Sequence, residues 1–315
     1  MGTVSLAALT ALAALFAVIT GVNDGGALLA TGLKIPSIRP VTGVLMMMAA
    51  VALVPLVSHQ VATTFATRLT TAEGSDGQII MAVAVLAALV VVMALSNRGR
   101  PTSLTLAIVG ALTGAGLGWG APVSSDAVLF VLATALAAPL VGALLSMPLR
   151  HLLARLRDAR LLRRWHRVGF SLQCLAYAAN DGQKMLAVFM LAQGFSGAPL
   201  PTCVAMAAMF GAGAVYGLPR AGRTLSREII ASRPLHGVTA ELASGTAVIG
   251  CAAIGAPVSM TQTIAGALIG AGVAEGSGRV RWHAAVKIVL AWMLTLPVSG
   301  LLAAATALVV RGVIV

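Results

Sequence analysis

Two Asn-Asp dipeptides stand in apolar surroundings and are the residues of this chain best suited to bind an ion. Asn23-Asp24 and Asn180-Asp181 lie 157 positions apart in a chain of 315 residues. A carboxylate at membrane depth costs roughly 2.5–3.5 kcal/mol, so two of them at matching positions indicate a function. Oxygen ligands of this kind suit hard cations. We therefore predict that Asp24 and Asp181 bind a cation, either a coupling ion or a metal ion. The asparagine amides beside them would supply oxygen ligands or donors.

Hydroxyl side chains are duplicated at nearly the same spacing. The segment Pro101-Thr-Ser-Leu-Thr recurs 156 positions later as Pro257-Val-Ser-Met-Thr, and a Gly-rich run follows each copy. Proline is favoured at the start of a helix, so we expect two half-helices that begin at Pro101 and Pro257. The free N–H groups and the dipole at such starts bind anions. The predicted anion ligands are Ser103, Thr105, Ser259 and Thr261, with Asn23 and Asn180.

A structural explanation also remains open for both sets of residues. Each aspartate could pair with a nearby lysine, Lys34 or Lys184, and the hydroxyls could cap helices or join neighbouring helices. Glu241 is a third acid in apolar surroundings, and Val85 stands at the matching place in the first half. Glu241 is a candidate cation ligand or proton-coupling carboxylate, or the buried partner of an arginine such as Arg223.

Apolar helices must position these polar motifs. Hydrophobic residues make up 59% of the chain and charged residues 10%, whereas soluble domains carry about 25% charged residues. Runs such as 81–95, 127–145 and 282–310 have the apolarity and length of bilayer spans, which need about 20 residues. We predict an all-α, polytopic membrane protein of the cell (plasma) membrane, with roughly eight to twelve crossings.

The matching motifs predict two homologous transmembrane repeats, residues 1–148 and 168–315, joined by a basic cytoplasmic linker at 149–167. We expect the second repeat to be inverted, with re-entrant or broken helices that meet near the bilayer midplane, as in transporter binding sites. The linker carries seven arginines against the single acid Asp158. In a membrane protein this pattern indicates a cytoplasm-facing loop and not a nucleic-acid site. The three cysteines lack metal-binding spacing.

These motifs resemble those of the inorganic phosphate transporter (PiT) family of secondary carriers. Ala178-Ala-Asn-Asp-Gly-Gln-Lys-Met185 is similar to the family's Asn-Asp motif, and residues 257–262 are similar to its Pro-x-Ser-x-Thr segment. Leu106 stands where many members have histidine, and Gln262 fills that place in the second half. The resemblance implies an inverted-repeat fold and symport of phosphate with Na⁺ or H⁺, in many bacterial members as a neutral metal–phosphate complex.

The leading hypothesis is a phosphate:cation symporter, not an enzyme. It assigns phosphate binding to Ser103, Thr105, Ser259, Thr261, Gln262, Asn23 and Asn180, coupling-cation binding to Asp24, Asp181 and Glu241, and metal binding to Asp24 and Asp181. Its partners would be inorganic phosphate, the coupling cation Na⁺ or H⁺ and the lipid bilayer. No cofactor or nucleic acid is expected, a divalent metal would be a co-substrate, and a homo-oligomer is left open.

Besides a purely structural or receptor role, two other classes of function are consistent with the sequence. One is a carrier of another oxyanion, such as sulfate, or of a divalent metal. The other is an intramembrane enzyme in which Asp24 and Asp181 form a catalytic dyad, since paired acids can do acid–base chemistry. The enzyme would leave the duplicated Ser/Thr segments without a task.

Overall fold

The computed structural model describes residues 5–32, 35–65, 74–97, 102–156, 158–228 and 233–314, which form helices joined by short connections. The first half contains α1 (Leu6–Thr20), a first π-helical turn (Gly21–Gly25), α2 (Gly26–Gly32), α3 (Pro40–Val57), α4 (Gln60–Thr63), α5 (Gly74–Asn97), α6 (Leu104–Trp119) and α7 (Ser125–Ala154). The second contains α8 (Ala159–Tyr177), a second π-helical turn (Ala178–Gly182), α9 (Gln183–Gln193), α10 (Leu200–Glu228), α11 (Pro234–Ala253), α12 (Met260–Val273) and α13 (Trp282–Ile314). The predicted all-α fold is confirmed. Lys34, Pro101 and the side chain of Arg223 lie outside the described residues.

The order of the helices repeats at the spacing of the sequence motifs. The second π-helical turn begins 157 positions after the first, and α13 begins 157 positions after α7. The short helices α6 and α12 stand at matching places directly before those two long helices. The duplication is therefore visible in the secondary structure itself and not only in the polar motifs.

Each repeat packs its short helix against the long helix of the other repeat. The helix α6 lies along α13, and α12 lies along α7. Each π-helical turn also packs on a helix of the other repeat, since α10 contacts the first turn and α3 contacts the second. The two repeats are thus interlocked, and each supplies the surface that buries part of the other.

Glycines make these exchanged contacts close. A side chain at Gly114 of α6 would collide with the backbone of Gly300 in α13. In the second repeat, a side chain at Gly266 of α12 would collide with the backbone of Pro139 in α7. Small residues let helix backbones approach closely in lipid, where packing replaces the hydrophobic effect as the main attraction between helices.

Six helical runs of the described chain are long and apolar enough to cross a membrane. They are Leu6–Leu29, Pro40–Val57, Gly74–Leu95, Ser125–Ala154, Leu200–Leu218 and Trp282–Ile314. The helices α6 and α12 are apolar but shorter, as expected for half-helices. The number of long apolar helices is below the predicted eight to twelve crossings, and the helices α8 and α11, which carry charged residues, are not among them.

A polar cluster fastens the far end of α12. Glu275, just beyond α12, accepts contacts from His236 Nε2 at 2.7 Å, from Arg233 Nη1 at 3.0 Å and from Arg150 Nη2 at 3.5 Å. Partial burial acts to raise the pKa of Glu275, but His236 and the arginines outweigh it and lower that pKa. The cluster ties α12 to α7 and α11, so the end of α12 away from Ser259 is fixed.

Three expected boundaries differ in the structure. The basic segment 149–167 is predicted to be a loop, but α7 continues to Ala154 and α8 begins at Ala159, so most of the segment is helical. The two half-helices are predicted to begin at Pro101 and Pro257, but they begin at Leu104 and Met260. In both copies a serine, which is favoured at the N-cap position, stands directly before the first helical residue.

The glycine contacts predict that Gly114→Ala lowers stability. The added methyl group would force α6 away from α13, and overpacking of this kind costs about 1–3 kcal/mol. The measurement is the thermal unfolding midpoint of the purified protein in detergent. The matched control is Gly250→Ala, since Gly250 is also helical but has open space around it. An equal fall of the midpoint in both variants would contradict the close-packing explanation.

Candidate functional site

The two aspartates lie at equivalent places in the two π-helical turns. Asp24 belongs to Gly21–Gly25 and Asp181 to Ala178–Gly182, and α-helix continues on both sides of each turn. A π-helical turn contains one extra residue and is frequent at functional sites in helices. Both carboxylates are buried, with exposed fractions of 4% and 5%. Asp24 is close enough to Asp181 and Lys184 to interact with both electrostatically.

Asp181 contacts groups from both repeats. Its Oδ1 atom accepts a hydrogen bond from Lys184 Nζ at 2.7 Å and one from Thr105 Oγ1 at 3.4 Å. Its Oδ2 atom accepts from the backbone N–H of Met260 at 3.3 Å. Thr105 lies in the first turn of α6, and Met260 is the first residue of α12. The starts of the two half-helices, predicted to meet, therefore meet at this carboxylate.

Lys184 completes the same network. Its ammonium group donates to Thr105 Oγ1 at 2.6 Å and to the carbonyl oxygen of Val258, in addition to Asp181. Thr105 Oγ1 also lies 3.3 Å from that carbonyl oxygen. Lys184 is only 4% exposed. A buried ion pair is tolerated when its remaining donors and acceptors are satisfied, and these contacts satisfy them.

Asn180 fixes the backbone that leads into α12. Its Nδ2 atom donates to the carbonyl oxygen of Ala256 at 2.9 Å, and its Oδ1 atom accepts from the N–H of Val258 at 3.0 Å. These two bonds hold the non-helical segment directly before α12 in place. The amide of Asn180 thus positions backbone here, in addition to any contact with an anion that the sequence predicts.

The hydroxyls at the two half-helix starts behave differently. Ser103 caps α6 by accepting from the N–H of Leu106 at 3.3 Å, which is the structural role left open by the sequence. Ser259 makes no such capping bond, and its Oγ atom lies 3.0 Å from Thr261 Oγ1. Both of these second-half hydroxyls are buried. The second half-helix therefore keeps its hydroxyls available at its start.

Asn23, Gln262 and Glu241 lie in three different environments. Asn23 Nδ2 donates to Asp24 Oδ1 at 2.8 Å. Gln262 is buried and lines an apolar cavity between α7, α12 and α13, and its Oε1 atom has no hydrogen-bond partner among the described residues. Glu241 pairs with His166, with 3.3 Å between Oε1 and Nε2, and His166 Nδ1 in turn contacts Ser37.

A small cavity lies against the ion pair. It has a volume of about 10 Å³, and its lining includes Phe16, Thr20, Thr105, Asp181 and Lys184. A space of this size holds about one water molecule. Binding of a tetrahedral oxyanion would therefore require the surrounding helices to move apart.

Three further residues of the site were not assigned to it from the sequence. Lys184 was named only as a structural partner of Asp181, although its place one turn later on the same helix face was a usable signal. Tyr177 is buried within electrostatic range of both aspartates. Gln183 Oε1 accepts from the N–H groups of Val61 and Ala62 at 2.7 and 3.2 Å, which joins α9 to α4. No sequence pattern indicated these last two roles.

Metal binding by Asp24 and Asp181 stays a prediction. Within the part of the chain that the structure describes, no three or more His, Cys, Asp or Glu side chains group together in a way that could hold a metal ion. A metal bound at the two aspartates would therefore need further oxygen ligands from other residues, from water or from its cargo.

Comparison with known proteins places this architecture in a family. The family model described as the phosphate transporter family matches residues 20–171 and again residues 159–303. A protein of Mycobacterium tuberculosis (strain ATCC 25618 / H37Rv), named "Probable low-affinity inorganic phosphate transporter", is 35% identical over 227 residues, which cover 66% of this chain and 54% of that protein. A protein of the same name from Bacillus subtilis (strain 168) is 27% identical and is matched over 73% of this chain and 74% of its own length. The chain thus spans about half the length of the mycobacterial relative.

A solved structure titled "The sodium-dependent phosphate transporter" has the same fold. Its TM-score with this chain is 0.85 at 18% sequence identity, and the match covers 98% of this chain and 99% of that one. The family consists of transporters and not of enzymes, which agrees with the interpretation that this chain is not an enzyme. The apolar helices of this chain are those of a multi-pass membrane protein, which in a bacterium lies in the plasma membrane. The double match of the family model, over nearly all of the sequence, makes this chain a member of the phosphate transporter family.

Proposed function

We propose that this protein imports inorganic phosphate together with a coupling cation, H⁺ or Na⁺, by alternating access around the site at Asp181. The observation that carries the proposal is the convergence of both repeats on one carboxylate. Thr105 from α6 and the N–H of Met260 from α12 contact Asp181 from opposite repeats. The names of the mycobacterial and Bacillus relatives support phosphate as the substrate.

The start of α12 supplies the anion-binding groups in this proposal. The N–H of Met260 donates to a carboxylate oxygen of Asp181. A phosphate oxygen would take the place of this carboxylate oxygen as the acceptor. The hydroxyls of Ser259 and Thr261 lie beside it. A helix start combines free N–H groups with the positive end of the helix dipole, so it favours an anion at this place.

The charges of the site explain why phosphate would need a companion cation. Asp24 and Asp181 carry two negative charges when ionised, and Lys184 carries one positive charge within electrostatic range of both. A phosphate anion would meet one uncompensated negative charge at low dielectric, where repulsion is strong. A cation bound beside Asp24 removes that charge, so cation and phosphate stabilise each other in the closed state.

The proposal also covers the chemical form of the transported species. A divalent metal could travel with the phosphate as a neutral complex, with Asp24 and Asp181 as ligands of the metal. Sulfate is the alternative oxyanion, because it shares the tetrahedral shape and the acceptor oxygens. Movement of either through the site requires opening, since the cavity beside the ion pair holds about one water molecule.

Uptake into proteoliposomes tests the substrate and the driving ion together. We expect labelled phosphate to accumulate when a proton or sodium gradient is imposed, and unlabelled phosphate or arsenate to compete for uptake. Competition by sulfate that equals competition by phosphate would replace the substrate with a broader oxyanion class. An absence of gradient-driven uptake by the reconstituted protein would refute the proposed function.

Asp24→Asn should abolish uptake while the protein still reaches the membrane. The substitution removes the charge that we assign to the coupling cation but keeps the size and hydrogen-bonding capacity of the side chain. Asp126→Asn is the matched control, because Asp126 is an exposed acid in the first turn of α7. The measurement is phosphate uptake normalised to membrane content. Full uptake by the Asp24 variant would remove this residue from the cation site.

Ser259→Ala should weaken phosphate affinity by at least about tenfold, since a hydrogen bond to a charged group contributes about 1.5–3 kcal/mol and each 1.4 kcal/mol is a factor of ten. Ser125→Ala, at an exposed serine of α7, is the control. The measurement is the half-saturating phosphate concentration for uptake. Equal changes in the two variants would count against phosphate binding at the start of α12.

A further inference from the structure

We propose that Lys184 is a resident cation of the site, whose ammonium group fills the place beside Asp181 that a free Na⁺ ion would otherwise take. The residue thereby excludes Na⁺ from Asp181 and decides which ion is left for coupling. This inference rests on the proposed function for its meaning in transport, but the ion-binding step can be measured without transport.

The contacts of the ammonium group are those of a bound cation. It touches a carboxylate oxygen of Asp181 at 2.7 Å, a hydroxyl oxygen of Thr105 at 2.6 Å and the carbonyl oxygen of Val258. Carboxylate, hydroxyl and unwound-backbone carbonyl oxygens are also the ligands that transporters offer to Na⁺. The three oxygens come from the second π-helical turn, from α6 and from the segment before α12, so the ammonium joins three separate elements.

The tether explains why this cation does not leave. Lys184 lies one turn after Asp181 on the same continuous helix, so its side chain keeps the ammonium within reach of the carboxylate. The group is 4% exposed and has oxygen partners in three directions. A free ion can escape when the site opens to water, whereas a side chain remains and returns to the same oxygens.

The duplicated position in the first repeat does not carry a charge. Residue 27, which matches Lys184 at the repeat spacing, is alanine, and the carboxylate of Asp24 accepts from the amide of Asn23. The two equivalent acids therefore have partners of different charge. Asp181 has a built-in ammonium group, and Asp24 has a neutral donor, so Asp24 is the acid left for an exchangeable cation.

Removal of the ammonium should convert Asp181 into a Na⁺ site. A buried carboxylate without a counter-charge is strongly unfavourable, so the protein would recruit a cation from solution. Lys184→Ala both removes the charge and leaves room for an ion with its water. We expect the thermal unfolding midpoint of the purified Lys184→Ala protein to rise saturably with NaCl relative to choline chloride at equal ionic strength, without phosphate present. We expect no such rise beyond that of the wild type in Lys287→Ala, at an exposed lysine of α13.

The second substitution at Asp181 decides where the ion binds. The double variant Asp181→Asn with Lys184→Ala should lose the gain in Na⁺ response, because its site no longer carries the unpaired charge. A Lys184→Ala protein that folds in NaCl but not in choline chloride would also support the proposal. The proposal is overturned if Lys184→Ala responds to Na⁺ no more than the wild type, or if the double variant keeps the response. It is also overturned if Lys184→Ala folds neither in NaCl nor in choline chloride.

Transport gives an independent readout. In proteoliposomes at fixed pH, we expect an inward Na⁺ gradient to stimulate phosphate uptake by Lys184→Ala at least about fivefold more than uptake by the wild type, within the usual range of coupling between two ligands. If neither protein takes up phosphate but the Na⁺ response in unfolding is present, the proposed function fails and the resident cation stands. If uptake occurs without any gain in Na⁺ dependence, the resident cation fails and the proposed function stands.

Discussion

The organisation of the site depends on one buried ion pair, Asp181 with Lys184. Water is absent from the interior of a bilayer, so a charge there must be balanced by a nearby charge and by hydrogen bonds. Thr105 and Val258 provide oxygens for the ammonium, and Met260 provides an N–H for the carboxylate. Because these partners belong to both half-helices, the need to balance one pair of charges brings together segments far apart in the sequence.

The two residues of the second Asn-Asp dipeptide have separate tasks. Asn180 uses its amide to shape the backbone before α12, while Asp181 carries the charge that the half-helices surround. In the first dipeptide, Asn23 donates to its own neighbour Asp24. The two copies of the motif are therefore used differently, since the asparagine of the second copy bonds the backbone before α12 and the asparagine of the first bonds a carboxylate.

The sequence was sufficient to predict the all-α fold, the two repeats and the meeting of the half-helices, because a repeated polar motif in an apolar chain has few physical explanations. Side-chain partners chosen by tertiary packing could not be predicted. The pairing of Glu241 with His166 joins residues 75 positions apart and follows no local pattern. Both half-helices begin three residues after the predicted proline, at Leu104 and Met260, with a serine at the N-cap position. Ser103 and Ser259 share one motif but differ in capping, a difference that their identical local sequence pattern could not show.

The exchange of α6 and α12 between the long helices has a consequence for how such a protein arises and assembles. Neither repeat covers its own short helix fully, since α6 packs on α5 but more extensively on α13 of the other repeat, and α12 packs on α11 but more extensively on α7 of the other repeat. A single ancestral repeat would have needed a second copy to be complete. Fusion of two copies would then hold both partners in one polypeptide, and α6 would acquire its most extensive neighbour only after α13 has been synthesised.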